Sequence, residues 1–150
     1  MHLKLPPPVI TFFAAVMMFG IHMWVPVARL TLEHRKPIAM LWIICGAALA
    51  IAGIVQFAKA KTTIHPLEPQ KANVLVVHGI YRHTRNPMYL GLVLVLIGWG
   101  IALSNAAGFV VIPLFMWYMT VFQIKPEEAA LQEKFGESFS NYCQHVRRWV

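Results

Sequence analysis

The sequence predicts an all-α integral membrane protein: about four transmembrane helices, a tight hairpin of the last two, and a C-terminal amphipathic cytoplasmic helix. Three observations carry this expectation. Hydrophobic residues make up 58% of the 150, above the roughly 45–50% apolar share of soluble domains, and only 13% are charged, with no Asp at all. The apolar residues gather into four long runs, at 9–30, 38–58, 88–103 and 106–124. A chain of this size cannot hide that much apolar surface inside one water-facing globule. A soluble enzyme, a disordered tail and a secreted disulfide scaffold are therefore poor fits. Residues 1–150 are expected to form one membrane-embedded domain.

The first two runs are long enough for a bilayer core of about 30 Å, which takes roughly 20 helical residues. The first is too long for a signal-peptide core and lacks a small-residue cleavage site. Gly46, Ala50 and Gly53 put small residues on one face of the second run, and Gly91 and Gly98 do so in the third. Such faces let helices approach closely in lipid. The third run is short, about 24 Å of helix at 1.5 Å per residue. Only Ser104 and Asn105 separate it from the fourth, hence the tight hairpin. Pro113 is expected to kink the fourth helix or loosen a turn.

A net charge of +7 suits topology better than nucleic acid, because basic residues flank the spans of membrane proteins. Ten of the 13 Lys and Arg lie in the N-terminus, the 59–87 segment or the 125–150 tail. The other three are Arg29, Arg35 and Lys36, in the opposite loop between Trp24 and Trp42. This bias predicts a multi-pass protein with both termini cytoplasmic. Cys45 and Cys143 have no spacing that suggests a metal or disulfide framework.

Polar sequence is concentrated in 59–87 and 125–150, so any chemistry is expected there, on the cytoplasmic face. In the tail, Glu128, Leu131, Phe135, Phe139, Tyr142 and Val146 recur at 3- and 4-residue spacing, one face of an amphipathic helix. Glu128 falls at the centre of that stripe, and Glu127 is turned about 100° away.

Two motifs begin helices on this face: Gly79 to Gly91, containing Arg85-Asn86-Pro87, and Lys125-Pro126-Glu127-Glu128. Each has a plain structural reading. Asn86 and Pro87 make a good N-cap and first-turn pair. Pro126 followed by two acids is an ordinary helix start that complements the dipole. Arg82 and Arg85 serve as positive-inside residues, or as salt-bridge partners of the acids. Together, however, the motifs bring two sets of free N–H groups to one face, where a carboxylate or phosphate binds. The acids would hold an ammonium or a ribose hydroxyl. S-adenosyl-L-methionine fits such a site, and so does a phospholipid headgroup.

Tyr81-Arg82-His83-Thr84-Arg85-Asn86-Pro87-Met88-Tyr89-Leu90-Gly91, then Glu127-Glu128 with Leu131, Phe135 and Gly136, then Tyr142 and Val146, resemble the isoprenylcysteine carboxyl methyltransferase family. The wider group with phospholipid N-methyltransferases is similar. The resemblance covers about residues 70–148. It implies a membrane-embedded methyltransferase using S-adenosyl-L-methionine, with a small lipophilic or lipid acceptor and no nucleic acid partner. It also implies a cofactor pocket lined by Asn73, Val74, Leu75, Val76, Tyr81, Asn86, Pro87, Tyr89 and an acid of Glu127-Glu128. The resemblance favours Glu127 for that contact; the helical stripe favours Glu128. Asn86 stands where the family has His, and Asn cannot take up a proton near neutral pH. Gln123 stands near where the eukaryotic enzymes place an Arg for the substrate carboxylate.

A carboxylate acceptor needs little acid–base help, only proximity, alignment and exclusion of water. An amine or thiol would lose a proton, with His78, His83 or Tyr81 placed to assist. His22 lies within the first run, where a polar residue is a functional-site candidate by default; a hydrogen bond to a neighbouring helix is the plainer expectation. No His or Cys cluster has metal-ligand spacing. The competing readings are an NADPH-dependent membrane reductase, which needs a phosphate-binding Arg cluster, and a noncatalytic protein that binds lipid or a partner helix.

Overall fold

The computed structural model describes residues 5–25, 33–59 and 74–150, and among them the fold is all-helical with no strand. Helix α1 spans Pro7–Trp24 and α2 spans Arg35–Lys59. A 3₁₀ turn at Gly79–Arg82 leads into α3, Pro87–Leu103. After a 3₁₀ turn at Ala106–Val110 come α4 (Val111–Met119), a π turn (Thr120–Ile124), α5 (Lys125–Phe135) and α6 (Glu137–His145).

Three helical stretches are long and apolar enough to cross a membrane: Pro7–Trp24, Arg35–Lys59 and the unbroken Ala106–Phe135, while α3 has 17 residues. Their outer faces leave Phe12, Phe13, Leu41, Ile51, Leu114 and Trp117 exposed. A soluble monomer rarely shows so large an apolar surface; in lipid it is the expected exterior.

Helix α3 packs chiefly on α2, and glycine sets the distance between them. A Cβ at Gly46 would lie 2.6 Å from the Gly91 carbonyl oxygen, and one at Gly98 would lie 2.8 Å from that of Ala39. The backbones therefore touch along the two small-residue faces, with Gly53 closing the contact against Pro87 and Met88. On the other side, α1 and α4 pack around Met18, Val93, Leu96, Val111, Phe115 and Met119. The Trp99 indole N–H donates to the Ala15 carbonyl at 3.1 Å, joining α3 to α1.

The link from α3 to the next helical segment is confined to Ser104 and Asn105. Ser104 takes a left-handed φ of 50°, and the Asn105 side chain accepts from the N–H groups of Ala107 and Gly108. Its amide also donates to the Val25 carbonyl at 3.0 Å, fastening the end of α1 to this corner.

Four expectations need correction. Helix α1 stops at Trp24 rather than running to residue 30: Val25 is already non-helical, as Pro26 disfavours helix in the residue before it. Residues 26–32 themselves lie outside the described residues, as do 60–73 of the long 59–87 segment. The fourth run does not end at 124. Pro126 starts no new helix but sits inside a continuous one, since Ile124 already has helical angles. A proline ring clashes with the carbonyl four residues back and brings no N–H. The wider π turn before it, in which the Lys125 N–H reaches the Thr120 carbonyl, relieves that clash. There is accordingly no second set of free helix-start N–H groups. The tail stripe is not one helix either, because Gly136 at φ 51° separates α5 from α6; Phe139 and Val146 are buried all the same.

Pro113 lies just inside α4, behind the 3₁₀ turn at Ala106–Val110. With no N–H to give Phe109, it fits the loosened turn that the sequence predicts.

The contact between α2 and α3 makes Gly91 sensitive to size. Gly91→Leu should cost about 1–3 kcal/mol through overpacking and lower the thermal unfolding midpoint in detergent. Gly20→Leu, placed where a Cβ meets nothing within 4 Å, should leave it in place. Equal midpoints for the two variants would contradict this packing.

Candidate functional site

The site forms where the start of α3 meets α5, α6 and the C-terminal residues. Its outer edge is the Gly79–Arg82 turn. Gly79 has φ 62°, and a Cβ there would collide with the Gln56 side chain on α2, so the turn lies directly against the end of that helix. This aims Tyr81 inward, 5% exposed, with its ring edge-on to Phe57 at 5.3 Å. The Tyr142 hydroxyl of α6 donates to the Tyr81 carbonyl at 2.7 Å.

The next residues hold the C-terminus. The Arg85 N–H donates to the Arg147 carbonyl at 3.0 Å. The Asn86 amide donates to the Arg148 carbonyl at 2.9 Å, and the Thr84 hydroxyl donates there at 3.4 Å. The Trp149 indole donates to Thr120 in the π turn at 3.2 Å. Residues 146–149 thus lie as a strap across the first turn of α3. Asn86 consequently does not cap α3 through its side chain, contrary to expectation: its amide is spent on the strap. Its backbone N–H is satisfied by the Thr84 hydroxyl oxygen instead. Pro87 occupies the first turn as the sequence predicts.

The two acids of α5 have different company. Glu128 accepts from Arg148 at 2.6 and 3.1 Å, and from Arg85 Nη2 at 2.9 Å. Arg82, the other suggested partner, is exposed and is not in this cluster. Glu127 accepts a 2.6 Å hydrogen bond from the Tyr89 hydroxyl. Tyr89 is buried, and Glu127 lies close enough to Tyr81 to act on its phenol.

Burial, with Tyr142 and Glu127 adding to it, pushes the Tyr81 phenol well above its ordinary pKa. Burial also raises Tyr142, against the pull of Arg85. Burial thus makes both phenols harder to deprotonate than an ordinary tyrosine, which counts against Tyr81 as the group that takes a proton from an acceptor. Burial raises the Cys143 thiol too, leaving it a poor nucleophile.

Val76, Tyr81, Pro87 and Tyr89 are buried; Leu75, Asn86, Glu127 and Glu128 are partly buried; Val74 is exposed, and Asn73 lies outside the described residues. His78 and His83 are exposed. Among the described residues no group of His, Cys, Asp or Glu is arranged to hold a metal. His22 Nδ1 is buried without a partner; its ring neighbours Phe19 of its own helix. Sequence reasoning passed over Thr84, Arg148 and Trp149. Arg147 and Arg148 read as positive-inside residues, and nothing local marks them as partners of residues some 60 positions earlier.

The profile of the phospholipid methyltransferase family matches residues 34–138, from α2 through the acidic pair into α6. The chain belongs to this family. Within it, the chain is 27% identical over 111 residues to protein-S-isoprenylcysteine O-methyltransferase A of Arabidopsis thaliana, covering 74% of this chain and 56% of that protein. It is 29% identical over 108 residues to the protein-S-isoprenylcysteine O-methyltransferase of Schizosaccharomyces pombe, covering 72% and 46%. An uncharacterized protein of Haemophilus influenzae is 40% identical over 63 residues, 42% of this chain and all of that protein. The chain spans about half the length of the curated methyltransferases it matches. The resemblance seen in the motifs at 81–91 and 127–146 is therefore to true relatives.

In this family member the strap depends on Asn86 as a donor. Asn86→Asp would set a carboxylate against the Arg148 carbonyl, costing about 1–3 kcal/mol for the unsatisfied acceptor. Hydrogen exchange at the Arg85 amide, which the strap covers, should accelerate by about tenfold while the amides of α3 keep their rates. Unchanged exchange at Arg85 would show that the strap is held without Asn86.

Proposed function

We propose that this chain transfers a methyl group from S-adenosyl-L-methionine to a small lipophilic acceptor at the cytoplasmic membrane face. The observation that carries the reading is the Tyr89–Glu127 hydrogen bond beside buried Tyr81, where α3 begins. Membership of a methyltransferase family supports the reaction type.

The residues present fit the cofactor. Glu127, oriented by Tyr89, offers a carboxylate to ribose hydroxyls or an ammonium. The aromatic faces of Tyr81 and Tyr89 suit a sulfonium, through attraction of a cation to the ring. Arg85 Nε is a buried donor without a partner, suited to the carboxylate of an amino acid. Glu128 is already neutralised by two arginines. The contact is assigned to Glu127 on its hydrogen bond from Tyr89, and Glu128 takes a positioning role through its two arginines. Of the other expected pocket residues, Val76 and Pro87 supply apolar walls, Leu75 and Val74 extend the edge, and Asn86 acts through the strap; Asn73 is assigned to the pocket by the resemblance.

When bound, S-adenosyl-L-methionine supplies an activated methyl whose transfer needs an aligned nucleophile and little else. The chain's own residues contribute position and dryness: Tyr81 and Tyr89 close the base of the site to water, and Glu127 fixes orientation. With Tyr81 protonated and Asn86 unable to accept a proton, an acceptor that is already nucleophilic, such as a carboxylate, is served best; amine and thiol acceptors remain the alternatives. Gln123 is fully buried and donates to the Leu5 carbonyl at 2.8 Å, so it is committed to the bundle rather than to a substrate carboxylate.

The NADPH reading asks for an Arg cluster, and Arg82 and Arg85 do not form one: Arg85 is partly buried on Glu128, and Arg82 is exposed away from that pair. The topology proposed is four spans with both termini cytoplasmic, α3 being the short one accommodated by local thinning of the bilayer. The basic-residue bias, ten of 13, supports that orientation.

Calorimetry on the full chain in nanodiscs should give saturable binding of S-adenosyl-L-methionine and S-adenosylhomocysteine that NADPH does not displace. Labelled methyl should then appear in an organic-extractable product when prenylcysteine or phospholipid acceptors are supplied. No binding of either methionine derivative by folded protein would overturn the proposal. In a second experiment, Tyr89→Phe should weaken cofactor binding by about tenfold or more, since a hydrogen bond to a charged group is worth about 1.5–3 kcal/mol, with the helical content unchanged. Unaltered affinity in that variant would remove Tyr89 from the site.

A further inference from the structure

A concavity of about 460 Å³ lies between the Gly79–Arg82 turn and α6, with Tyr142 and Val146 in its lining. Successive residues of the turn face opposite ways: Tyr81 is buried inward, and Arg82 is exposed and lines this pocket. The opposing wall is Ser138, Asn141 and His145 of α6. Their spacing of three and four residues places all three on one helix face.

The lining contains a guanidinium, a hydroxyl, an amide and an imidazole, and no carboxylate. Among the described residues Arg82 has no ion pair or side-chain hydrogen bond, unlike Arg85 and Arg148, which share Glu128. The His145 ring is held by Nδ1 on the Asn141 carbonyl at 2.7 Å. Its orientation is thereby fixed without using Nε2. The Ser138 hydroxyl and Asn141 amide beside the Arg82 guanidinium offer donors from two elements to the non-bridging oxygens of a phosphate, for which the planar Arg fork is especially suited. His145 adds a donor at Nε2 when its ring is doubly protonated.

We infer that this pocket binds a phosphate group through Arg82, Ser138, Asn141 and His145, separately from the methyl-transfer site. The same chemistry is offered by a soluble phosphate and by the headgroup of an anionic phospholipid.

The test uses the full chain in phosphatidylcholine nanodiscs, titrated by calorimetry with inorganic phosphate and, separately, with dihexanoyl phosphatidylglycerol below its micelle concentration. Saturable binding of at least one is expected. Phosphate alone would assign a soluble ligand, and the lipid alone a membrane headgroup. Arg82→Gln should weaken that binding by at least tenfold, and the Ser138→Ala/Asn141→Ala double variant by about threefold or more. Arg147→Gln, an exposed arginine outside the lining, should change it less than twofold. Because the Arg82 side chain has no partner among the described residues, its replacement should leave the unfolding midpoint in place, which separates lost binding from lost fold. Absence of saturable binding by both probes would overturn the inference. So would equal weakening by Arg82→Gln and Arg147→Gln, the mark of diffuse charge alone.

Discussion

A carboxylate withdrawn from water must be neutralised where it lies, and Glu128 answers that demand with two arginines from distant parts of the chain. Arg85 precedes α3 and Arg148 lies near the C-terminus, yet both reach the same carboxylate within 3.1 Å. Charge-assisted pairs of this kind are strong and geometrically demanding. They are also costly to break once buried, because the surviving charge is left uncompensated. The cluster thereby fixes three things together: the turn before α3, the first turn of α5 and the strap at 146–149. Take away that carboxylate and two arginines face each other across the place where the site is built.

The membrane part supplies the other constraint. With lipid outside and helices inside, there is little hydrophobic gain in bringing α2 to α3, so close backbone packing has to hold them. Gly46, Gly91 and Gly98 permit it. This contact places the end of α2, with Gln56 and Phe57, beside the turn that carries Tyr81. The π turn then lets one helix continue through Pro126, so that Glu127 and Glu128 extend directly from the α4 stretch. Position in the bundle and position in the site are thus one problem, solved by glycine spacing and one relaxed turn.

Much of this was legible in the sequence. The four apolar runs, the small-residue faces and the Ser104–Asn105 break all have counterparts in the structure, because hydropathy and residue size act locally. The motifs at 81–91 and 127–128 likewise marked where polar groups gather. Other features depend on contacts that no local pattern encodes. A proline preceded by a long apolar run looks like a helix start, and only the π turn shows how the chain passes it. Gly136 sits in a perfect 3-and-4 stripe, and the stripe gives no hint that the backbone turns there. Asn86 before proline has the look of a cap, but a carbonyl 62 residues away takes its amide. The pairing of Glu128 was hidden for the same reason, since Arg148 is invisible as a partner until the chain is folded.

The proposed function rests on a division between the two acids: Glu128 holds the framework through its arginines, and Glu127 is proposed for the cofactor contact. Its most direct test is to measure S-adenosyl-L-methionine affinity and unfolding midpoint side by side for Glu127→Gln and Glu128→Gln. Glu127→Gln, which still accepts from Tyr89, should lose more than tenfold in affinity, with a smaller fall in midpoint than Glu128→Gln shows. Glu128→Gln should lower the midpoint by the equivalent of about 1–3 kcal/mol, between the values for exposed and fully buried pairs. The opposite pattern, with Glu128→Gln losing affinity at full stability and Glu127→Gln binding normally, would contradict the account.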